Sequence, residues 1–324
     1  MTIAQEPLRN FWHVVALSSE VQDKPFATTL LDQQLVLWRT ENGISALDDM
    51  CIHRGARLSL GWVEQDQIRC PYHGWGYNAA GSCAQIPALP AGRPIPGKAR
   101  VKSYQCQERY GLIFVCLGEP QQPLYEVPEF EQSGFKTHIV GPVTWQASAA
   151  RSLENFMDEA HLPFVHPEML GNRHNVPEVD SRDVEERDGG FYFECQSEVS
   201  DRIDRSKMTV NRLTYHIVLP FMLYHENIYP NGNRVLDLFF STPVSTKKCV
   251  RYMVVGRNFA LDQPSERFAD FTQKIWEQDR AIIESQRPEE LPIDWNMELH
   301  LRGPDAPSVA YRKMLRAMGV AKVA

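Results

Sequence analysis

Cysteine is scarce in this sequence, and its count is odd. Seven residues, at positions 51, 70, 83, 106, 116, 195 and 249 of 324, do not make the dense even set of a disulfide framework. Positive charge is also short: 34 Lys and Arg stand against 41 Asp and Glu, a net charge of -7. A surface that grips nucleic acid needs the opposite balance, so that class is excluded, while a small anionic substrate in a local basic pocket is not. No apolar run approaches the roughly 18 residues that span a bilayer. Met1 to Pro7 lack the basic and then apolar pattern of a secretory leader. With the cysteine usage, this predicts a cytoplasmic protein. There is no repeat and no low-complexity tract. A glycine-rich phosphate loop is missing too, and Gly74-Trp75-Gly76 opens no helix. No bound nucleotide is therefore expected, and no flavin or plant-type ferredoxin segment.

What is present suggests two domains, because single cores stop growing at roughly 250–300 residues. Up to about residue 118 the chain alternates short β-rich runs with turns, as in 34–39, 44–47 and 112–117. A stretch marked by Pro120, Pro123 and Pro128 follows. It places the boundary between domains 1–125 and 126–324. The second half predicts a helix from Ala149 to about Ala160. Strands are expected at 190–197, 209–219, 235–241 and 250–259, and helices at 265–286 and 307–318. Strands bracketed by helices without βαβ alternation read as an α+β domain whose helices cover an antiparallel sheet.

Two constellations carry chemistry. In the first, Cys51-Ile52-His53 and Cys70-Pro71-Tyr72-His73 are separated by sixteen residues and followed by Gly55 and Gly74. Each arm mixes one Cys with one His. Two such turns meeting as fingertips supply two thiolates and two imidazoles, the ligand set of a Rieske cluster. A structural Cys₂His₂ zinc site uses the same residues, but it commonly keeps Cys with Cys and His with His. The other five cysteines lack this context; Cys116 in an apolar run and Cys83 read as structural.

The second constellation starts at Glu154-Asn155-Phe156-Met157-Asp158-Glu159-Ala160-His161. Asn155, Asp158 and His161 are spaced to share one side of a helix. Pro163 should end that helix, and His166 returns from the turn beyond. A third ligand is offered by the C-terminal helix. There Asp279 lies on the apolar stripe of Phe268, Phe271, Ile275, Ile282 and Gln286. A carboxylate on such a face is costly unless paired or bound to metal. His161, His166 and Asp279 would form the two-His-one-carboxylate facial triad of non-haem Fe(II). Asp279 paired with Arg280 or Arg287, and Asp294 as the third ligand, are the competing readings. Tyr215, Phe221, Tyr224 and Phe240 are candidates for a pocket wall and equally for ordinary core.

Both constellations resemble the Rieske non-haem iron oxygenases, the aromatic ring-hydroxylating oxygenase α-subunit family. The 51–56 and 70–75 loops are similar to its cluster loops, 155–166 to its mononuclear-iron motif, and 277–286 to the segment that supplies the carboxylate. Ala56 and Tyr72 stand where respiratory Rieske proteins carry a further disulfide pair, so the likeness is to the oxygenase type. Asn155 stands three residues before Asp158, as in the single-subunit branch of methylxanthine N-demethylases and dicamba- or vanillate-type O-demethylases. The resemblance implies an all-β Rieske [2Fe-2S] domain (1–125) and a helix-grip, START/Bet v1-like catalytic domain (126–324). Its implied cofactors are the cluster, on Cys51, His53, Cys70 and His73, and a mononuclear Fe(II), on His161, His166 and Asp279. The implied partners are O2, a small aromatic or heterocyclic substrate and a separate NAD(P)H-dependent reductase, acting directly or through a ferredoxin. A head-to-tail homotrimer is implied as well, in which Asp158 bridges His161 and His73 of the partner subunit, with Asn155 near the iron. The expected activity is monooxygenation, as hydroxylation or N- or O-demethylation. A cis-dihydroxylating dioxygenase and a Rieske electron carrier are the alternatives.

Overall fold

The computed structural model describes residues 5–320 except 168, 175, 177, 179–182 and 201–206, and only the backbone of 200 and 295. The chain divides into a unit of Arg9–Pro123 and a second of Leu124–Ala324 together with the N-terminal residues to Leu8. Among the described residues no helix is long and apolar enough to cross a membrane.

The first unit is built from ten strands. They are β1 (His13–Leu17), β2 (Phe26–Leu30), β3 (Gln33–Thr40), β4 (Gly43–Asp48), β5 (Trp62–Glu64), β6 (Gln67–Arg69), β7 (Gly76–Tyr77), β8 (Cys83–Gln85), β9 (Ser103–Arg109) and β10 (Leu112–Cys116). Six form one antiparallel sheet in the order β1-β10-β9-β4-β3-β2, and β5-β6-β7-β8 form a small second sheet. Trp38, Leu47, Leu58, Ile68, Tyr77 and Val101 fill the core beneath the small sheet. Cys51 and Cys70 belong to that same core, so the two loops are anchored by their cysteines.

The second unit continues with β11 (Lys136–Trp145), α1 (Ala149–Met157), α2 (Leu162–Val165), β12 (Glu185–Arg187), β13 (Gly190–Ser200), β14 (Met208–Val218), β15 (Met222–Ile228), β16 (Arg234–Ser245), β17 (Lys248–Arg257), α3 (Glu266–Ile283) and α4 (Ala306–Ala317). The seven strands make one antiparallel sheet in the order β11-β17-β16-β15-β14-β13-β12. The helices α1 and α3 pack against it and each other. The α+β reading of the sequence, an antiparallel sheet covered by helices, matches this arrangement.

Helix boundaries correct the sequence reading at one functional place. Ser148 caps α1 by accepting from the Arg151 N–H at 3.2 Å, but α1 stops at Met157 and does not reach Ala160. Asp158 is extended, and its Oδ1 accepts from the Ala160 N–H at 2.8 Å. This local bond offers the backbone an alternative to the next helical turn. His161 therefore lies outside α1. It precedes α2 and His166 follows it, with Pro163 inside the first turn of α2 rather than ending a helix. On α3 the buried stripe is Phe268, Phe271, Thr272, Trp276, Asp279 and Ile283. Asp279 is on it as expected, whereas Ile282 is exposed. Two turns of about 3.6 residues carry the stripe from Trp276 to Ile283.

Candidate functional site

The two Cys–His loops repeat one backbone design. In each, the Cys N–H donates to the carbonyl five residues on: Cys51 to Ala56 at 2.8 Å and Cys70 to Trp75 at 2.9 Å. In each, a Gly N–H donates back to the Cys carbonyl, Gly55 at 2.9 Å and Gly74 at 3.0 Å. Gly55 and Gly74 take φ of 71° and 69°, a left-handed conformation that glycine adopts without steric cost. The result is a buried pair of thiols, Cys51 and Cys70, beneath a pair of imidazoles nearer the surface. The His53 and His73 rings meet with centroids 4.6 Å apart, and His53 stacks on Trp75 at 4.5 Å. The Tyr77 hydroxyl lies 3.1 Å from Sγ of Cys51.

This geometry distinguishes between metals. One tetrahedral zinc gathers all its ligand atoms around a single point. Among the described residues, only His161, His166 and Asp279 bring three such atoms within 4.8 Å of one another. The loop residues pair instead as two thiols and two imidazoles, the division that one Cys-bound and one His-bound iron requires. Nδ1 of His53 is buried without a hydrogen-bond partner. A metal ligand has that environment, and a structural histidine does not.

In the second unit the helix break brings three side chains together. Nε2 of His161 and Nε2 of His166 lie 3.4 and 2.9 Å from Oδ1 of Asp279. Each histidine spends its other nitrogen elsewhere. Nδ1 of His161 donates to Oδ2 of Asp158 at 3.2 Å, and Nδ1 of His166 donates to Oε1 of Gln278 at 2.8 Å. In the neutral tautomer that these bonds select, each Nε2 is a lone pair facing a carboxylate oxygen. Nε2 of His166 is buried and, despite its 2.9 Å approach, makes no hydrogen bond of acceptable angle. Three converging acceptors repel one another unless a cation sits between them, so the set fits a divalent metal with two imidazoles and one carboxylate. The same field acts on protons. Burial alone would raise Asp279, but the two imidazoles outweigh it and hold the acid well below the ordinary range. Burial also opposes a charge on His161, yet Asp158 and Asp279 push it up to about 9.

Asn155 stands beside this triad, its Nδ2 3.4 Å from Oδ1 of Asp279 and 3.5 Å from Nε2 of His161. The competing readings of Asp279 are not what the fold adopts. Arg280 pairs with Glu284 and Glu277, Arg287 faces Glu289, and Asp294 accepts from the Asn296 N–H.

The triad forms part of the wall of a cavity of about 120 Å³ between the sheet and the helices. Phe156, Leu213, Met253, Phe271, Ile275 and Trp276 make much of the remaining wall apolar. Of the aromatics considered from sequence, Tyr215 lines it, while Phe221, Tyr224 and Phe240 are buried elsewhere in the core.

Several residues of the site escaped sequence reasoning. Gln278 is one, and Arg251 another. Arg251 is fully buried, its guanidinium 3.8, 4.5 and 4.7 Å from the ring centres of Trp145, Trp276 and Phe239. Burial lowers it to about 10 while Asp279 acts the other way, so it stays cationic at neutral pH and offsets the carboxylate charge. His225 and Asp237, paired across β15 and β16, also face the cavity. A lone polar residue inside an apolar strand run, as in Leu236-Asp237-Leu238, was the available signal.

Comparison with known proteins finds a family for each half of the chain. The Rieske [2Fe-2S] domain family matches residues 11–105, and the vanillate O-demethylase oxygenase C-terminal domain family matches residues 145–321. The chain is a Rieske non-haem iron oxygenase. Among its relatives, the methylxanthine N1-demethylase NdmA of Pseudomonas putida is 32% identical over 97% of this oxygenase and 90% of its own length. The N3-demethylase NdmB of the same species is 29% identical over 98% and 91%. The solved structure of NdmA with caffeine superposes with a TM-score of 0.86 at 30% identity, covering 96% of the oxygenase and 91% of that chain. Dicamba monooxygenase bound to dicamba shares the fold, with a TM-score of 0.82 at 22% identity over 96% and 97%. The oxygenase is of the N-/O-demethylase type, and its cofactors are the Rieske [2Fe-2S] cluster and a mononuclear non-haem iron.

Proposed function

We propose that this chain is the terminal oxygenase of a system that removes an N- or O-methyl group from a small aromatic or heterocyclic compound. Its electrons come from a separate NAD(P)H-dependent reductase, and the system works in the cytoplasm. The observation that carries the reading is the convergence of His161, His166 and Asp279 on the wall of an apolar cavity.

In this reading Cys51 and Cys70 hold one iron of the cluster, His53 and His73 hold the other, and His161, His166 and Asp279 hold the mononuclear iron. When bound, these groups supply two electrons and insert one atom of O2 into a substrate C–H bond, the other leaving as water. The protein residues do the rest. Gln278 and Asp158 orient the two imidazoles, each holding a ring proton on Nδ1 so that Nε2 is turned toward the metal site. Phe156, Phe271 and Trp276 exclude water and grip a flat ring. A hydroxylated N- or O-methyl group then breaks its bond to the heteroatom, releasing formaldehyde and returning a proton to that heteroatom. Asp158 links centres of neighbouring subunits in a homotrimer through His73 of the partner subunit. Ile52 and Tyr72, exposed apolar residues on the cluster loops themselves, suit such a docking face.

The test is coupled turnover with a compatible reductase and NADH on a panel of N-methyl, O-methyl and unmethylated aromatic and heterocyclic compounds. Formaldehyde released in step with substrate loss is the expected result. A hydroxylated product without formaldehyde, or one that gains two oxygens, would replace demethylation by hydroxylation or dihydroxylation.

A further inference from the structure

The helical wall of the cavity carries the metal ligands, while the sheet wall carries an unexplained polar edge. His225 and Asn227 lie two residues apart on β15, so both side chains point to one face about 6–7 Å apart along the strand. Both are buried, and both line the cavity. Each is fixed from behind. Nδ1 of His225 donates to Oδ2 of Asp237 at 3.2 Å, directly across the sheet. Oδ1 of Asn227 accepts from Nδ2 of Asn211 at 2.7 Å. Phe156 and Tyr215 hold the His225 ring from two sides, at 6.1 and 4.7 Å between centroids. These contacts leave Nε2 of His225 and Nδ2 of Asn227 facing the cavity. Burying polar groups in an otherwise apolar wall costs stability unless a partner arrives.

Building on the demethylase reading, we infer that His225 and Asn227 are specificity-determining residues. They select a planar substrate that carries a hydrogen-bond acceptor, a ring carbonyl or carboxylate oxygen, on the edge away from the methyl group. Asn227 donates to that oxygen, while His225, whose Nδ1–H is given to Asp237, presents only the lone pair of Nε2 and bounds the edge on which an acceptor is tolerated. Asp237 and Asn211 act through their neighbours as positioning residues. With the acceptor edge on the sheet wall, the opposite edge of a flat ring faces the triad. The pair thus selects the compound and also aims its methyl group.

The experiment measures binding directly, by titration calorimetry of the iron-loaded protein, so it does not depend on turnover. The probes are matched pairs: 3-methoxybenzoate against 3-methoxytoluene, and N-methyl-4-pyridone against N-methylpyrrole. The expected result is tighter binding of the acceptor-bearing member by about tenfold or more, the scale of a buried donor left unmet. Asn227→Asp is nearly isosteric and replaces the donor with an acceptor. It should abolish that preference and raise KM for the acceptor substrate more than it lowers kcat, with iron content and visible spectrum unchanged. Asn211→Leu, which releases the Asn227 amide from behind, is the second variant, and it should reduce the preference should Asn227→Asp not fold. Equal binding of both members of every pair by the wild type, including no binding of either, overturns the inference. So does an Asn227→Asp effect that falls equally on both members. Absence of formaldehyde from an acceptor substrate that binds tightly would instead count against the demethylase reading and leave the binding edge standing.

Discussion

Nδ1 of His166 donates to Oε1 of Gln278, and Gln278 is the residue directly before Asp279 on α3. One short piece of helix thus supplies the carboxylate of the triad and orients one of its imidazoles. Gln278→Leu keeps the bulk but removes the acceptor, freeing the ring to turn or to change tautomer. Its iron affinity should fall about 10–100-fold, the usual effect of losing such an outer partner. Ferrous titration of the metal-depleted protein measures this. An unchanged affinity would mean that packing alone holds His166.

Asp158 does two jobs at the end of α1: Oδ1 accepts from the Ala160 N–H, and Oδ2 accepts from Nδ1 of His161. Asparagine retains an oxygen for the first and loses the negative charge of the second. Asp158→Asn should therefore keep the backbone turn and both metals while losing most turnover. Iron analysis and coupled turnover check it together. Loss of iron, or near-normal turnover, would each remove Asp158 from the electron path.

Tyr77 is fully buried with its hydroxyl 3.1 Å from Sγ of Cys51. A donor to a cluster sulfur stabilises the more negative, reduced state. Phenylalanine preserves the packing and deletes the donor, so Tyr77→Phe should move the cluster potential to a more negative value. Spectroelectrochemical titration reads this directly. A potential that stays put would show that the hydroxyl does not act on the cluster.

Arg312 ties α4 to α1 through Glu154, at 2.7 and 2.8 Å, and reaches Glu298 at 2.7 Å. Arg312 is almost fully buried. Arg312→Met would leave the Glu154 charge inside without its hydrogen-bonded partner. The expected loss is about 3–5 kcal/mol in urea unfolding, against at most ~1 kcal/mol for an exposed pair. A loss at the lower figure would mean that water compensates Glu154.

The sequence spoke clearly where chemistry is local. The Cys-x-His and Cys-x-x-His arms sit on turns whose glycines are next to them in the chain, and Asp279 stands out because a carboxylate on an apolar stripe is costly. It spoke poorly where contacts depend on tertiary register. His225 meets Asp237 only because β15 and β16 pair in that alignment, and the interval between them is unremarkable. The strands β11, β12 and β15, which complete the sheet, carry too many polar residues to stand out as apolar runs. The premature end of α1 depends on one side-chain bond, from Ala160 to Asp158, competing with the next turn. Helical periodicity alone carried the helix through it. Phe221, Tyr224 and Phe240 show the converse, since apolar character marks a residue as buried without saying which void it borders.

The most direct test of the account is iron per chain in the wild type and in Asp279→Ala, with the visible spectrum recorded on the same samples. The account predicts about three irons in the wild type and about two in the variant, with the red-brown Rieske absorption unchanged. Equal iron in both proteins, or loss of the Rieske absorption with the third iron, would contradict the assignment of His161, His166 and Asp279 as a separate mononuclear centre.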